Sequence, residues 1–575
     1  MLEKQWKIRQ PISKEFIKSF PEFNRPILQL FWNRNLRTKE EIYRFLNPAL
    51  HNLYHPSLIY NMDAAAQKIL KTINNKEKIA VYGDYDTDGV CSTAIFAKTL
   101  NFLDYNNFDV YIPNRFEGGY GLTKEKIKKI IERNTKLLIT FDCGVSDFEE
   151  IKIARDAGLD VIIFDHHLIP EKIPNASIIV DLWQKEEEYP FKELVATGIS
   201  YKIATYLLEL ANHPLRSILE KQLLDLVAIA TIADVAPLVD ENRIFVFQGL
   251  EQLIKTQNIG LRKLMEINDL NLKTKLDPYH VGFIIAPRLN AVGRIEHKLD
   301  GHYEETDYSF GLLMTENENE AEFLAQKINE LNLERQNKVQ EIYEIIKKDL
   351  EKKPILEKII CLGDAKWSKG VVGIVAGKLK DDFGRPVFIY SQGEEISIGS
   401  ARSINGINLV EILNRHKDLF VEAGGHRLAA GFTIKNENLE RFKNALSEEA
   451  QMIKDEDLIA DLIIDTNLEP QEITPHFLEV FYRLEPFGRD NPDPIFLMTD
   501  VIISEIRIVG SNGKHVKFSI QKNNRYFDVI SFNNAKELKF LTSGIKVDIV
   551  FHLRINEWGG KKSLEFELLG IKFKK

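Results

Sequence analysis

Residues 79–100 read IAVYGDYDTDGVCSTAIFAKTL, and this stretch decides the architecture. IAVY is a short apolar run, and it ends on an acidic turn that carries Asp84, Asp86 and Asp88 within five positions. A helix is predicted from near Ser92. Working outward, LLITF (137–141) ends in Asp142, VIIF (161–164) ends in Asp165-His166-His167, and SIIV (177–180) is a further run. Apolar runs bounded by polar or Gly residues and alternating with helical stretches predict a parallel sheet with helices on both faces. In such sheets ligands bind at the carboxyl ends of the strands.

Three carboxylates this close repel one another unless a cation compensates. Oxygen donors suit Mg²⁺ or Mn²⁺. An EF-hand calcium loop begins with a similar pattern. Here, however, the twelfth position counted from Asp84 is Ile95, and a strand rather than a helix precedes the turn. A His pair after a buried strand, beside two other acidic strand ends, reads as metal-ligating rather than structural. Asp234 adds a further candidate, because it interrupts the apolar stretch DLVAIATIADVAPLVD. A carboxylate there is costly unless paired or metal-bound. The alternative is a helix-terminal residue that caps or faces solvent. Asp84, Asp86, Asp88, Asp142 and Asp234 with His166 and His167, five Asp and two His, suffice for two divalent ions, which could activate water and stabilise charge on a phosphoryl oxygen. The expected chemistry is metal-assisted hydrolysis of a phosphate ester or anhydride. No Walker A sequence and no G-x-S-x-G elbow is present.

The 575 residues suit three or four domains of about 150 residues each. Hydrophobic residues make up 44% and charged residues 28%, an ordinary globular composition. A net charge of −9 excludes a uniformly basic nucleic-acid coat but not a local basic groove. The three cysteines, Cys91, Cys143 and Cys361, lie far apart, which argues against a disulfide framework or zinc site and fits a reducing compartment. The polar N-terminus does not read as a signal peptide, and no apolar run reaches the roughly 18 residues of a membrane span. A cytoplasmic protein is expected.

The texture divides the chain into a helical preface (1–75), an α/β domain (76–315), a long amphipathic helix (316–353), a second α/β domain (354–455) and a C-terminal region (456–575). In the last, short alternating strands predict a small barrel or sandwich. The long helix rests on Leu324, Ile328, Leu331, Val339, Ile342 and Ile346, which fall largely at three- and four-residue steps. The C-terminal aromatics Phe518, Tyr526, Phe527, Phe532 and Trp558 are candidate base-stacking residues, but none is assigned because alternation puts most in the core. The Lys-rich ending GGKKSLEFELLGIKFKK reads either as a backbone contact or as a solvated end.

GDYDTDG, FDCG and DHH, in this order, resemble the DHH phosphoesterase superfamily. PNRFEGGYGL (113–122), TIADVAPL (231–238), PRLNAVGRI (287–295), VVGIVAGKL (371–379), ARS (401–403) and GGHRLAAGF (424–432) narrow the resemblance to its RecJ family of bacterial single-strand-specific exonucleases. The likeness runs from about residue 20 to the C-terminus. It implies a DHH domain, a connecting helix, a DHHA1-type domain and a C-terminal OB-fold. It also implies a Mn²⁺- or Mg²⁺-dependent 5′→3′ exonuclease that releases mononucleotides from single-stranded DNA in recombination and repair. Further partners expected on this resemblance are a single-strand-binding protein and a helicase.

Carried over residue by residue, Asp88, Asp142, His166 and Asp234 would hold one ion, and Asp84, Asp86 and the shared Asp142 the other. His167 would touch the scissile phosphate or its leaving group, and Asp165 would orient a histidine. Arg115, Arg288 and Arg402 would contact phosphates. Ser400, Arg402 and His426 would form a pocket for the terminal 5′ phosphate, with Gly424 and Gly425 allowing close backbone approach. Each arginine could instead be a surface ion pair, and the glycines a plain tight turn. Trp367-Ser368 stands where the family often has Trp-His, and the segment around Asp181 lacks an Asn-Pro often seen there. Two other readings remain: a phosphodiesterase acting on cyclic dinucleotides or short oligonucleotides, and a non-catalytic DNA-binding replication scaffold. The region 456–575 weighs against the first, and the complete set of acids and histidines against the second.

Overall fold

The computed structural model describes residues 4–113, 121–270, 275–296, 306–510, 512–558 and 561–574. The chain falls into two compact units. One comprises residues 47–338 and 486–491, and the other residues 1–46, 339–485 and 492–575. Strands are numbered along the chain from β1 (Lys4–Ile8).

The unit holding the acidic turn is built on β2 (Ile79–Gly83), β3 (Phe108–Tyr111), β4 (Leu137–Phe141), β5 (Asp160–Asp165) and β6 (Ile178–Asp181). Their order is β3-β2-β4-β5-β6, and every pairing is parallel. Both faces are covered, which is why these strands read as unbroken apolar runs. Ile79, Val81, Ile139 and Phe164 enter one core with the helices Thr87–Phe102, Ala196–Leu210 and Leu224–Ala233. Ala80, Tyr82, Leu138 and Ile163 enter a second core with the helices Lys124–Glu132 and Phe148–Asp156. From β2 the chain passes to β3 on one side and then to β4 on the other. The strand order therefore reverses between β2 and β4, the place where open α/β sheets bind ligands.

The helix after the acidic turn begins at Thr87, five residues earlier than the pattern predicts. Asp86 is its cap, and its Oδ1 accepts the N–H groups of Asp88 and Gly89 at 2.9 and 3.1 Å. A Cβ at Gly89 would collide with the backbone of Asp84, so only glycine lets the turn fold back on the helix. The long helix spans Glu318–Glu351, within the predicted limits.

In the other unit, β7 (Ile360–Asp364), β8 (Val387–Gln392), β9 (Ile396–Arg402), β10 (Phe420–His426) and β11 (Ala429–Lys435) form a sheet of order β10-β11-β9-β8-β7. Only β7 and β8 run parallel. The hairpin β10–β11 escaped sequence reading because VEAGGH is exposed throughout and shows no alternation. Next come β12 (Ala460–Ile464), β13 (Thr466–Asn467), β14 (Phe496–Val509), β15 (His515–Lys522), β16 (Arg525–Ser531), β17 (Lys546–Trp558) and β18 (Lys561–Phe573). The order β14-β15-β16-β18-β17, closed by β14 pairing with β17, is a five-stranded barrel of OB type.

The first residues are not purely helical: β1 pairs in parallel with β12, 456 positions away from Lys4 to Ala460. A strand whose partner lies that far along the chain carries no local helix or hairpin signal. The Lys-rich ending is strand β18 rather than a loose tail. Lys572 lies over the Trp6 ring at 4.3 Å, and Lys574 bonds Asp500 at 2.7 Å. Of the aromatic candidates, Phe518 is buried, Phe527 stacks on Phe566, Tyr526 and Phe532 are exposed, and the Trp558 side chain lies outside the described part. Among the described residues, no helix is long and apolar enough to cross a membrane.

Candidate functional site

The acids and histidines at the strand ends converge. Asp84 follows β2 and Asp142 follows β4, and the Asp84 N–H donates to the Phe141 carbonyl at 3.3 Å, which locks the two ends together. Asp142 sits at φ +63°, a left-handed conformation that Asp tolerates better than most residues. Ligand atoms of Asp84, Asp86 and Asp142 lie within 4.8 Å of one another, and so do those of Asp142, His166 and His167. Asp142 is common to both groups. Its Oδ1 is 3.2 Å from His166 Nε2.

Asp88 is buried, and its carboxylate meets the start of the Ala196 helix. Oδ2 accepts the Ala196 N–H, and Oδ1 accepts the Thr197 N–H, each at 2.8 Å; the Thr197 hydroxyl donates to Oδ1 at 2.6 Å. A helix N-terminus is a natural seat for an anion. Asp88 Oδ2 stands 3.7 Å from His166 Nε2. Asp165 is buried and bonds the His167 ring at Nδ1 (2.7 Å) and the His166 N–H (2.8 Å), so it fixes the pair. Asp181, in register with Asp165, ends the next strand.

The electrostatics follow from burial. Burial lifts the Asp142 carboxyl well above its ordinary range, and Asp88, Asp86 and Asp84 add to the lift. Burial also raises Asp88, against the pull of His166. Asp234 ends the Leu224 helix as an exposed residue and falls in neither donor group; the protein packed around it, with Asp88 and Asp86, still raises its carboxyl to about 8. Burial lowers His166. It would lower His167 too, but the bond and charge of Asp165 raise that imidazole to about 9. The cluster is thus a set of hard carboxylate donors held together against their own repulsion, with two imidazoles alongside. That donor chemistry fits divalent cations, whose charge would relieve the repulsion.

Two features differ from the ligand sets implied by resemblance. His167 falls within the donor group of Asp142 and His166, and Asp88 is satisfied first by a helix N-terminus. Two neighbours were missed. Thr197 carries no local signal, because it is 109 positions from Asp88. Asn290, inside the quoted PRLNAVGRI motif, accepts the Thr87 N–H at 2.9 Å and so braces the helix behind the acidic turn. Arg288 bonds the Ile284 carbonyl and Asn329 Oδ1 at 2.7 and 3.0 Å. Arg115 lies outside the described residues.

In the other unit, the register aligns Ser400, Gly431 and Gly424 across three strands, and Arg402, Ala429 and His426 likewise. Directly paired residues share a sheet face. Ser400 and Arg402 therefore look across a floor of Gly431 and Ala429, low enough to leave a trough, towards Gly424 and His426. Above Ser400 and Arg402 runs the helix Val372–Phe383. A Cβ at its Gly373 would lie 3.1 Å from Ser400 Oγ and 3.2 Å from Arg402 Nη2. Gly373 is thus a third missed residue, and it brings a helix N-terminus beside an Arg and a Ser, an arrangement suited to a phosphate. Gly425, at φ +140°, has no room for a Cβ beside Ala429 and Ala430.

Three family models match: "DHH family, N-terminal domain" over residues 78–231, "DHHA1 domain" over 353–452 and "RecJ OB domain" over 464–569. The single-stranded-DNA-specific exonuclease RecJ of Bacillus subtilis is 37% identical over 564 residues, covering 97% of this chain and 69% of that protein. Crystal structures of Thermus thermophilus RecJ with Mn²⁺ and with Mg²⁺ superpose with TM-scores of 0.82 and 0.76 at 26% identity. They cover all of this chain and 80% and 79% of theirs. The chain belongs to the RecJ family.

Proposed function

We infer that this chain is a hydrolase, an exodeoxyribonuclease that degrades single-stranded DNA with Mn²⁺ or Mg²⁺ as cofactor. The observation that carries this reading is the pair of donor groups sharing Asp142 at the switch point of the parallel sheet. Digestion runs from the 5′ end, releases mononucleotides and serves DNA repair and recombination.

In this reading Asp84, Asp86 and Asp142 would hold one cation, and Asp142, Asp88, His166 and Asp234 would hold the second. When bound, such ions lower the pKa of a water and offset charge on phosphoryl oxygens. The protein's own contribution is positioning. Asp165 fixes the His167 ring, which is 45% exposed against 17% for His166, so His167 is the imidazole on the open side of the cluster. That position suits His167 to donate to the departing oxygen or to bind the scissile phosphate. Ser400, Arg402, Gly424, Gly425 and His426 receive the terminal 5′ phosphate, and Arg115 and Arg288 hold phosphates of the strand. The OB barrel binds single strands, for which exposed aromatics such as Tyr526 and Phe532 offer stacking surfaces. The domains are read as 1–75, 76–315, 316–353, 354–455 and 456–575. The setting is the cytoplasm, with a single-strand-binding protein and a helicase as partners.

The cyclic-dinucleotide and scaffold readings are not favoured, since a C-terminal barrel is present and two donor groups converge on Asp142. The test incubates the protein and Mn²⁺ with end-labelled single strands, duplexes and cyclic dinucleotides. Mononucleotides appearing progressively from the 5′ end of single strands alone support the proposal. Asp142→Ala should bind DNA without turnover. Activity retained in that variant would overturn the ligand assignment.

A further inference from the structure

The segment Pro486–Asn491 belongs to the same compact unit as the acidic cluster. It is seated on the turn that carries Asp234. The Leu238 N–H donates to the Arg489 carbonyl at 2.8 Å, and a Cβ at Gly488 would lie 2.6 Å from Leu238 Cδ1. Within the segment the Gly488 N–H donates to the Asn491 carbonyl at 2.9 Å, and the buried Asn491 side chain donates to the Pro486 carbonyl at 2.7 Å. Backbone and Asn491 together therefore hold the segment in place, and the Arg489 side chain is not needed to anchor it.

That side chain points at the cluster's rim. Arg489 Nη1 lies 3.5 Å from the carbonyl of Val235, the neighbour of Asp234. Val235 itself holds φ +54°, which a β-branched residue rarely adopts, so the turn is kept in shape against local preference. The Arg489 side chain is 55% exposed, and the one carboxylate within 4 Å among the described residues is Asp490, at 3.9 Å. The charge of Arg489 is felt at Asp234, where it favours the carboxylate. A guanidinium has five donors in a planar fork, and few of them are used here. The cluster beside it is otherwise acidic and would repel the DNA backbone.

We propose that Arg489 is a substrate-positioning residue that binds a backbone phosphate of the single strand beside the Asp234 turn. The proposal rests on the nuclease reading given above. A planar fork meets phosphate oxygens bidentately, and a backbone contact of this kind sets register without reading sequence.

The test separates a phosphate contact from a structural strut. Binding of a fluorescein-labelled oligothymidylate is followed by anisotropy across KCl concentrations, in Asp142→Ala and in Asp142→Ala with Arg489→Ala. Loss of one phosphate contact should flatten the log–log salt slope by about 0.7. In the active background Arg489→Ala should raise KM about tenfold, the scale of a charge-assisted hydrogen bond, with a smaller loss in kcat. Arg489→Lys should recover part of the KM, and Mn²⁺ affinity by calorimetry should match the parent. Equal salt slopes would overturn the proposal, as would a loss of Mn²⁺ affinity with the slope unchanged. If the parent releases no nucleotides while the slope still flattens, the nuclease reading fails and the phosphate contact stands.

Discussion

The carboxylate of Asp88 takes two hydrogen bonds from Thr197, one from its N–H at 2.8 Å and one from its hydroxyl at 2.6 Å. The Ala196 N–H completes the seat at 2.8 Å. Asp88, in the first turn of its own helix, is therefore held beside His166 by the N-terminus of a second helix.

Thr197→Val removes the hydroxyl and leaves the two backbone donors. Outer partners of metal ligands typically control affinity or activity by 10–100-fold. A loss in that range is expected in nuclease rate or Mn²⁺ affinity, with a stability cost of about 2 kcal/mol for a hydrogen bond to a charged group. Rate assays, calorimetry and urea unfolding check it. Full activity in the variant would show that the hydroxyl is dispensable to the site.

Asp142→Asn should separate stability from function. Burial and four neighbouring acids disfavour the Asp142 carboxylate in the metal-free protein, so a neutral amide should raise its Tm. The same change removes the ligand common to both donor groups, so added Mn²⁺ should no longer raise Tm as it does in the parent. Thermal scans with and without Mn²⁺ give both readings. A lower metal-free Tm in the variant would contradict the repulsion described for the cluster.

Arg402→Ala tests the trough on the sheet of the second α/β domain. Arg402 and Ser400 both approach Gly373 at the start of the Val372 helix, which suits them to a terminal phosphate. The variant should lose kcat/KM by about tenfold or more on 5′-phosphorylated strands, the scale of a charge-assisted hydrogen bond, and much less on 5′-hydroxyl strands. Equal losses on both ends would remove Arg402 from the pocket.

Asp307 predicts a pH dependence unrelated to metal. It caps the helix Tyr308–Met314 by accepting the Phe310 N–H at 2.7 Å, and burial pushes its carboxyl up to about 7. In the unfolded chain it titrates near 3.9. Between those values the native state holds a proton that the unfolded state releases, so stability falls as pH rises from about 4 to about 7. The loss is on the order of 4 kcal/mol and is complete above pH 7. Asp307→Asn keeps the cap and does not titrate. Its Tm advantage over the parent should be larger at pH 8 than at pH 4.5, and an advantage independent of pH would place the titration elsewhere.

The sheet was legible in the chain because its signal is local. Strands buried on both faces must be apolar throughout, and acids placed at their carboxyl ends stand out against such runs. The long helix was legible for the same reason, through the spacing of Leu324, Ile328, Ile342 and Ile346. The hairpin β10–β11 was not, since an exposed strand containing Gly424 and Gly425 has no alternation to detect. Strand β1 was not, since its partner lies near residue 460.

The order of residues alone determined the fold class, the acidic turn and the identity of the acids and histidines. Only the tertiary structure decided how they are held. Thr197 seats Asp88, Asn290 braces the turn, Gly373 opens the phosphate trough and Arg489 reaches the Asp234 turn. Each of these bridges a separation along the chain that periodicity does not register. Hydrogen bonds and steric fit act over a few ångströms of space, whatever the number of residues between the partners.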